Sequence, residues 1–224
     1  MKDIGYLLDF LSRLARNNDR EWLATHRDEY LRVMAIRDSF AEELLRLVAQ
    51  TDSRASLLRP KDCCYRLCRD TRFSADKTPF KTHIGIFICP PYGKKSPYCG
   101  YYFHLEPGNC FFAAGTIGWD GRILAAVRKS IYDEIDEYRS IVESREFRSC
   151  FGFPGENPLK TAPKGFDRNW EYIGYVRPRD FVASSPGIES LYRDADISSL
   201  EPYIRQAKRF NDFLNYAVEE AIAL

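Results

Sequence analysis

Between Tyr98 and Ile117 the chain carries two strand-like runs, Tyr98 to Glu106 and Cys110 to Ile117, joined only by Pro107-Gly108-Asn109. Aromatic and β-branched residues suit a pleated, half-buried surface, and a short Gly-containing connection closes a hairpin. This pair is therefore predicted to be antiparallel. Upstream, Thr82 to Cys89 is another such run, closed by Pro90-Pro91, and Cys64 to Arg69 alternates well enough to predict a further strand. Successive strands with no helix between them argue against the crossovers that a parallel sheet requires.

Helical spacing occupies the two ends. Leu7, Leu8, Phe10, Leu11 and Leu14 form one stripe, stopped at Asn17-Asn18. Asn18 or Asp19 then opens a long helix whose stripe runs through Trp22, His26, Tyr30, Val33, Phe40, Leu44 and Leu47. Past the hairpin, Ile123, Leu124, Val127, Ile131, Ile135 and Tyr138 mark a helix starting near Gly121. A Gly- and Pro-rich loop follows from Gly152 to Pro163, then a short helix over Trp170–Val176 and an edge strand at Phe181–Ala183. Ser198 and Glu201 have capping-box spacing at the start of a last helix through Ala207, Phe210, Leu214 and Ala217. The predicted class is α+β: a mainly antiparallel central sheet, about residues 60–120, packed by N-terminal, middle and C-terminal helices. No repeat or linker interrupts the chain, so residues 1–224 read as one domain.

Composition narrows the function. The formal net charge is +1, so bulk electrostatics favours neither nucleic acid nor an acidic membrane as partner. No stretch has the apolar length of a membrane helix and no secretory signal is visible, which predicts a cytoplasmic protein. The cysteines number 7, an odd count without a Cys-x-x-Cys pair, and neighbours such as Cys63 and Cys64 point to opposite faces of a strand. They read as buried free thiols. With only 3 histidines and no His-x-x-x-His or Glu-x-x-His spacing, no metal is expected; nor is a cofactor, since the phosphate-loop and dinucleotide fingerprints are missing.

Charge is concentrated in one place. From Arg59 to His83 there are seven cations (Arg59, Lys61, Arg66, Arg69, Arg72, Lys77, Lys81) and three anions (Asp62, Asp70, Asp76), a surplus of four. Arg66, Arg69 and Arg72 offer forked donors to a phosphate or carboxylate, Lys77 and Lys81 act as point charges, and Ser74 adds a hydroxyl. Lys164, in the later loop, is a further anion-binding candidate. Asp70 and His104 are the candidate acid/base groups; His104 shares a strand face with Tyr102 and Glu106 if alternation holds. The competing reading is a closed ion-pair network that pins the loop Asp70–Pro79 to the sheet, with the chain serving as an interaction module for a protein or nucleic-acid partner through exposed aromatic residues.

The block Arg66-x-x-Arg-Asp-x-Arg-Phe-Ser-x-Asp-Lys-x-Pro-Phe-Lys-Thr-His83 resembles the signature of a bacterial family catalogued as domain of unknown function 2461. Other blocks agree in order: Phe10-Leu11-x-x-Leu14, Asn17-Asn18-Asp19-Arg20-Glu21-Trp22, His26-Arg27, Gly100-Tyr101-Tyr102-x-His104-Leu105-Glu106-Pro107-Gly108 and Ala162-Pro163-Lys164-Gly165-Phe166-Asp167. The resemblance covers nearly the whole chain. It implies a cytoplasmic α+β single domain and brings with it no activity, cofactor or catalytic residues.

Overall fold

The computed structural model describes residues 3–194 and 196–223. The fold is α+β. Four strands, β1 (Ile84–Ile88), β2 (Gly100–Leu105), β3 (Phe111–Thr116) and β4 (Phe181–Pro186), make an antiparallel sheet in the order β1-β2-β3-β4. The hairpin and both flanking strands thus lie where the residue pattern puts them. The predicted strand at Cys64–Arg69 does not form. That segment makes only isolated bridges, Cys64 to Ile86 and Cys68 to Phe80. Its inward positions are Cys64 and Leu67, three apart rather than two, which a ladder of alternating side chains does not allow.

The chain divides into two compact units. The first comprises Met1–Lys94, Tyr102–Phe112 and Pro186–Glu201. It contains α1 (Ile4–Arg16), α2 (Arg20–Thr25), α3 (Arg27–Thr51), α4 (Pro60–Cys63) and β1. Leu7, Phe10, Leu11 and Leu14 of α1 and Val33, Phe40 and Leu44 of α3 are fully buried, as their spacing predicts. Burying each such side chain contributes about 1.5–3 kcal/mol. The long second helix is broken at His26, whose ring stacks on Trp22 at 4.0 Å while its Nδ1 lies 2.8 Å from the Trp22 carbonyl. Asp19, not Asn18, caps α2, accepting from the Trp22 amide at 2.7 Å. A short α8 (Glu189–Arg193) completes this unit.

The second unit comprises Lys95–Tyr101, Ala113–Ser185 and Pro202–Leu224. It holds α5 (Gly121–Asp133), α6 (Ile135–Val142), α7 (Arg145–Cys150), β4 and most of α9 (Glu201–Ala223). Asp120 caps α5 through the Arg122 and Ile123 amides, and the predicted single helix is divided at Glu134. The Trp170–Val176 segment is a 3-10 turn limited to Ile173–Val176. On α9, Asn211 is 3% exposed and satisfies two strand groups, accepting from the Gly115 amide at 2.8 Å and donating to the Gly100 carbonyl at 2.9 Å. The predicted capping box is not the one used. Ser198 lies inside a 3-10 turn, Ile197–Leu200, capped by Asp196.

Candidate functional site

Chain geometry builds the site in the first unit, at the lead-in to β1. The segments before and after the cationic loop are tied together by Arg69 N–H donating to the Pro79 carbonyl and Lys81 N–H to the Leu67 carbonyl, both at 2.9 Å. Asn18 then clamps Phe80 from α1's end. Its amide donates to the Phe80 carbonyl at 2.9 Å and accepts from the Phe80 amide at 3.0 Å. This is why Asn18 is not a helix cap. The clamp holds Lys81, Thr82 and His83 along one wall of a cleft of about 560 Å³, whose lining also includes Arg69, Asp70, Asp76 and Thr78.

The loop itself is largely self-paired. Arg69 binds Asp76 and Thr78, and Arg72 makes a two-point pair with Asp70 at 2.9 and 2.7 Å. Lys77 donates to the Thr71 carbonyl at 2.9 Å. The Arg72 pair holds the Asp70 carboxyl below its ordinary value. The Thr78 amide, Arg69 and the Thr78 hydroxyl bring Asp76 down to about 2. Asp70 is therefore a counter-ion to Arg72, accepting from its guanidinium through both oxygens. Ser74 makes no side-chain hydrogen bond among the described residues.

Two cations escape this network. Arg66 is exposed and has no ion pair among the described residues. Lys81 is half-buried, with its ammonium 5.4 Å from the centre of the Tyr65 ring and no carboxylate partner. Burial, and then the charges of Arg66 and Arg69, push the Lys81 ammonium below its usual range.

Beside Lys81 stands a second cluster. Tyr102, His104 and Glu106 project from one face of β2 and its end, as alternation predicts. Tyr102 Oη lies 2.9 Å from His104 Nδ1, and His104 Nε2 lies 3.3 Å from Glu106 Oε2. Asn109 and Thr82 donate to Glu106 at 2.7 and 3.1 Å. His83 stacks on His104 at 4.5 Å and Phe111 of β3 does so at 4.4 Å. Burial, and after it the neighbouring His104, pulls His83 down to about 4. Burial also lowers His104 against the opposing pull of Glu106. For Glu106, burial acts upward, but hydrogen bonds from Asn109, His104 and Thr82 outweigh it and the carboxyl is lowered. Tyr102 is raised to about 12 by burial.

A family model described as conserved hypothetical protein (DUF2461) matches residues 6–213. The chain belongs to this family. The matched span contains every residue of the cleft and of the histidine cluster. No curated protein and no solved structure matches the chain. Among the described residues no helix is long and apolar enough to cross a membrane.

Of the sequence candidates, Arg69, Asp70 and Lys81 line the cleft. Arg66 stands near enough to act on Lys81, whereas Arg72 and Lys77 are turned to local partners. Lys164 belongs to the second unit, exposed on a turn. His104 is present as an oriented imidazole, 7% exposed. Sequence reasoning missed the partnership of His83 with His104 and Glu106. Their same-strand spacing was visible, but the register that sets β1 beside β2 was not.

Proposed function

We propose that this chain binds an anionic, phosphate-bearing small ligand in the cleft walled by Arg69, Lys81 and His83. One observation carries the reading: Lys81 is a half-buried cation at the cleft with no carboxylate partner, beside Arg66, which is likewise unpaired among the described residues. Partial burial of a charge without a counter-ion costs free energy, and a ligand anion offsets that cost. The paired residues have a supporting role. Asp76 fixes the Arg69 fork, and Asp70 occupies Arg72.

A second reading has its own observation. Phe73, in the middle of the same loop, is 96% exposed, the kind of aromatic side chain that anchors a protein partner. There the loop is a docking surface and the cleft is incidental.

A thermal-shift screen of chelator-treated protein against inorganic phosphate and phosphorylated metabolites separates the two. A ligand that binds only the native state raises the melting temperature, by about 5–10 °C near one hundred times its Kd for a chain of this size. The anion reading expects such a rise with a phosphorylated compound and none with its dephosphorylated counterpart. It also expects the rise to vanish in Lys81→Ala and persist in Arg72→Ala. A flat response to every phosphate compound, or an undiminished shift in Lys81→Ala, overturns it.

A further inference from the structure

We propose that His83, His104 and Glu106 form a binding site for one divalent transition-metal ion. The observation is their convergence. One ligand atom from each of the three lies within 4.8 Å of the others, the one group of this kind among the described residues. His83 immediately precedes β1, while His104 and Glu106 belong to β2 and its end, so adjacent strands assemble the set and no local spacing motif is needed.

The donor chemistry selects the ion. Two imidazoles and one carboxylate suit borderline first-row ions such as Zn²⁺, Fe²⁺ or Co²⁺ and leave coordination positions open. Mg²⁺ and Ca²⁺, which prefer oxygen ligands throughout, fit poorly.

The surroundings match what metal ligands need. Ligating histidines usually engage their second nitrogen with a polar partner, which fixes ring orientation. Tyr102 Oη does this for His104 at Nδ1, leaving Nε2 directed at Glu106. A neutral ring ligating through Nε2 carries its proton on Nδ1, and the Tyr102 oxygen accepts that hydrogen bond. Asn109 and Thr82 hold the Glu106 carboxylate from both oxygens. Phe111 and His83 enclose His104 in a stack that keeps its plane.

His83 supplies an independent reason. It is half-buried, borders the cleft, and makes no hydrogen bond among the described residues. Its ring nitrogens are therefore free to turn to an ion from the cleft in place of solvent.

Spacing is the one adjustment required. Donors in a tetrahedral site are roughly 3.3 Å apart, given metal–nitrogen bonds near 2.0–2.1 Å. His104 Nε2 and Glu106 Oε2 already stand 3.3 Å apart, so it is His83 that must draw inward. His83, partly exposed and without a hydrogen bond among the described residues, moves most easily, while His104 and Glu106 are held in place by Tyr102, Asn109 and Thr82. This proposal stands apart from the anion reading, since its test contains no phosphate.

The test is Co²⁺ titration of the chelator-stripped full chain under reducing conditions. The expected result is one equivalent bound, weak visible ligand-field bands without thiolate charge transfer, and a raised melting temperature. His83→Ala and Glu106→Gln should each weaken binding by more than about 100-fold, beyond the roughly 10–100-fold typical of an outer partner, which Tyr102→Phe should show. His26→Ala removes the third histidine, on the α2–α3 break, and should leave binding unchanged. Far-ultraviolet circular dichroism of each metal-free variant confirms its fold; if His83→Ala does not fold, Glu106→Gln and Tyr102→Phe decide. Absence of binding, thiolate bands, or affinity that survives Glu106→Gln overturns the proposal.

Discussion

The His83 ring lies 4.5 Å from that of His104, at an interplanar angle of 29°, so a residue ahead of β1 and one inside β2 form a single stacked unit. His104 is buried and His83 half-buried, and two imidazoles this close cannot both carry a proton cheaply. The stack therefore couples the protonation of the cleft wall to the stability of the sheet edge beneath it.

The pH dependence follows. Burial, then His104 and Lys81, lowers His83 from 6.5 to about 4, against the contrary pull of Glu106. Unfolding restores the higher value, so between these limits the unfolded chain binds the extra proton. Folding stability contributed here is full above pH 6.5 and is lost as pH falls through the window to about 4. Urea midpoints of metal-free protein from pH 7 to pH 4.5 should fall, and His83→Gln should flatten that part of the curve. An identical slope in His83→Gln would assign the acid sensitivity to other groups.

Much of this architecture was legible in the residues, and the failures have physical causes. The Pro107-Gly108-Asn109 hairpin was readable because aromatic and β-branched content and turn chemistry agree there. The stripes of α1 and α9 were readable because one face of each is buried. The break at His26 was hidden, since a ring that stacks on Trp22 fits the helical spacing of its neighbours. Each compact unit is assembled from three discontinuous segments, so no linker marks a boundary in the sequence. The charge of the Arg66–His83 block was visible, but not which cations find partners. Asp70 and Asp76 each have two arginines within reach in sequence, and only geometry selects Arg72 and Arg69.

Asn18 shows how much rests on a single amide. Asn18→Ala removes both hydrogen bonds to Phe80 and leaves a partly buried backbone pair without partners. The expected cost is about 1–3 kcal/mol per unsatisfied group. Hydrogen exchange should localise the effect. The amides of Phe80 and Lys81 are expected to lose protection, while those of α9 keep theirs.

The Arg72–Asp70 pair should matter little despite its two-point geometry. Arg72 keeps 76% of its side-chain surface exposed and Asp70 keeps 43%, and ion pairs in that setting are screened by water and salt. Arg72→Ala should leave the melting temperature unchanged in 0.15 M salt. A clear fall would mean that the loop needs this pair to hold its shape.

Gly85 of β1 packs directly against the Tyr102 ring. A Cβ added there would stand 2.8 Å from Tyr102 Oη, 3.0 Å from Tyr102 Cε2 and 3.2 Å from Tyr65 Cδ2. Strand β1 therefore makes room for the ring whose hydroxyl holds His104. Gly85→Ala should destabilise by about 1–3 kcal/mol through overpacking, measured by urea unfolding. A second substitution identifies the cause. Tyr102→Phe removes Oη, so the tightest contact becomes the one at 3.0 Å, and the penalty of Gly85→Ala should shrink in that background. Contacting residues depart from additivity by about 0.5–3 kcal/mol. Strict additivity of the two changes would mean that the added methyl is resisted by backbone or by Tyr65, and that Tyr102 is free to move.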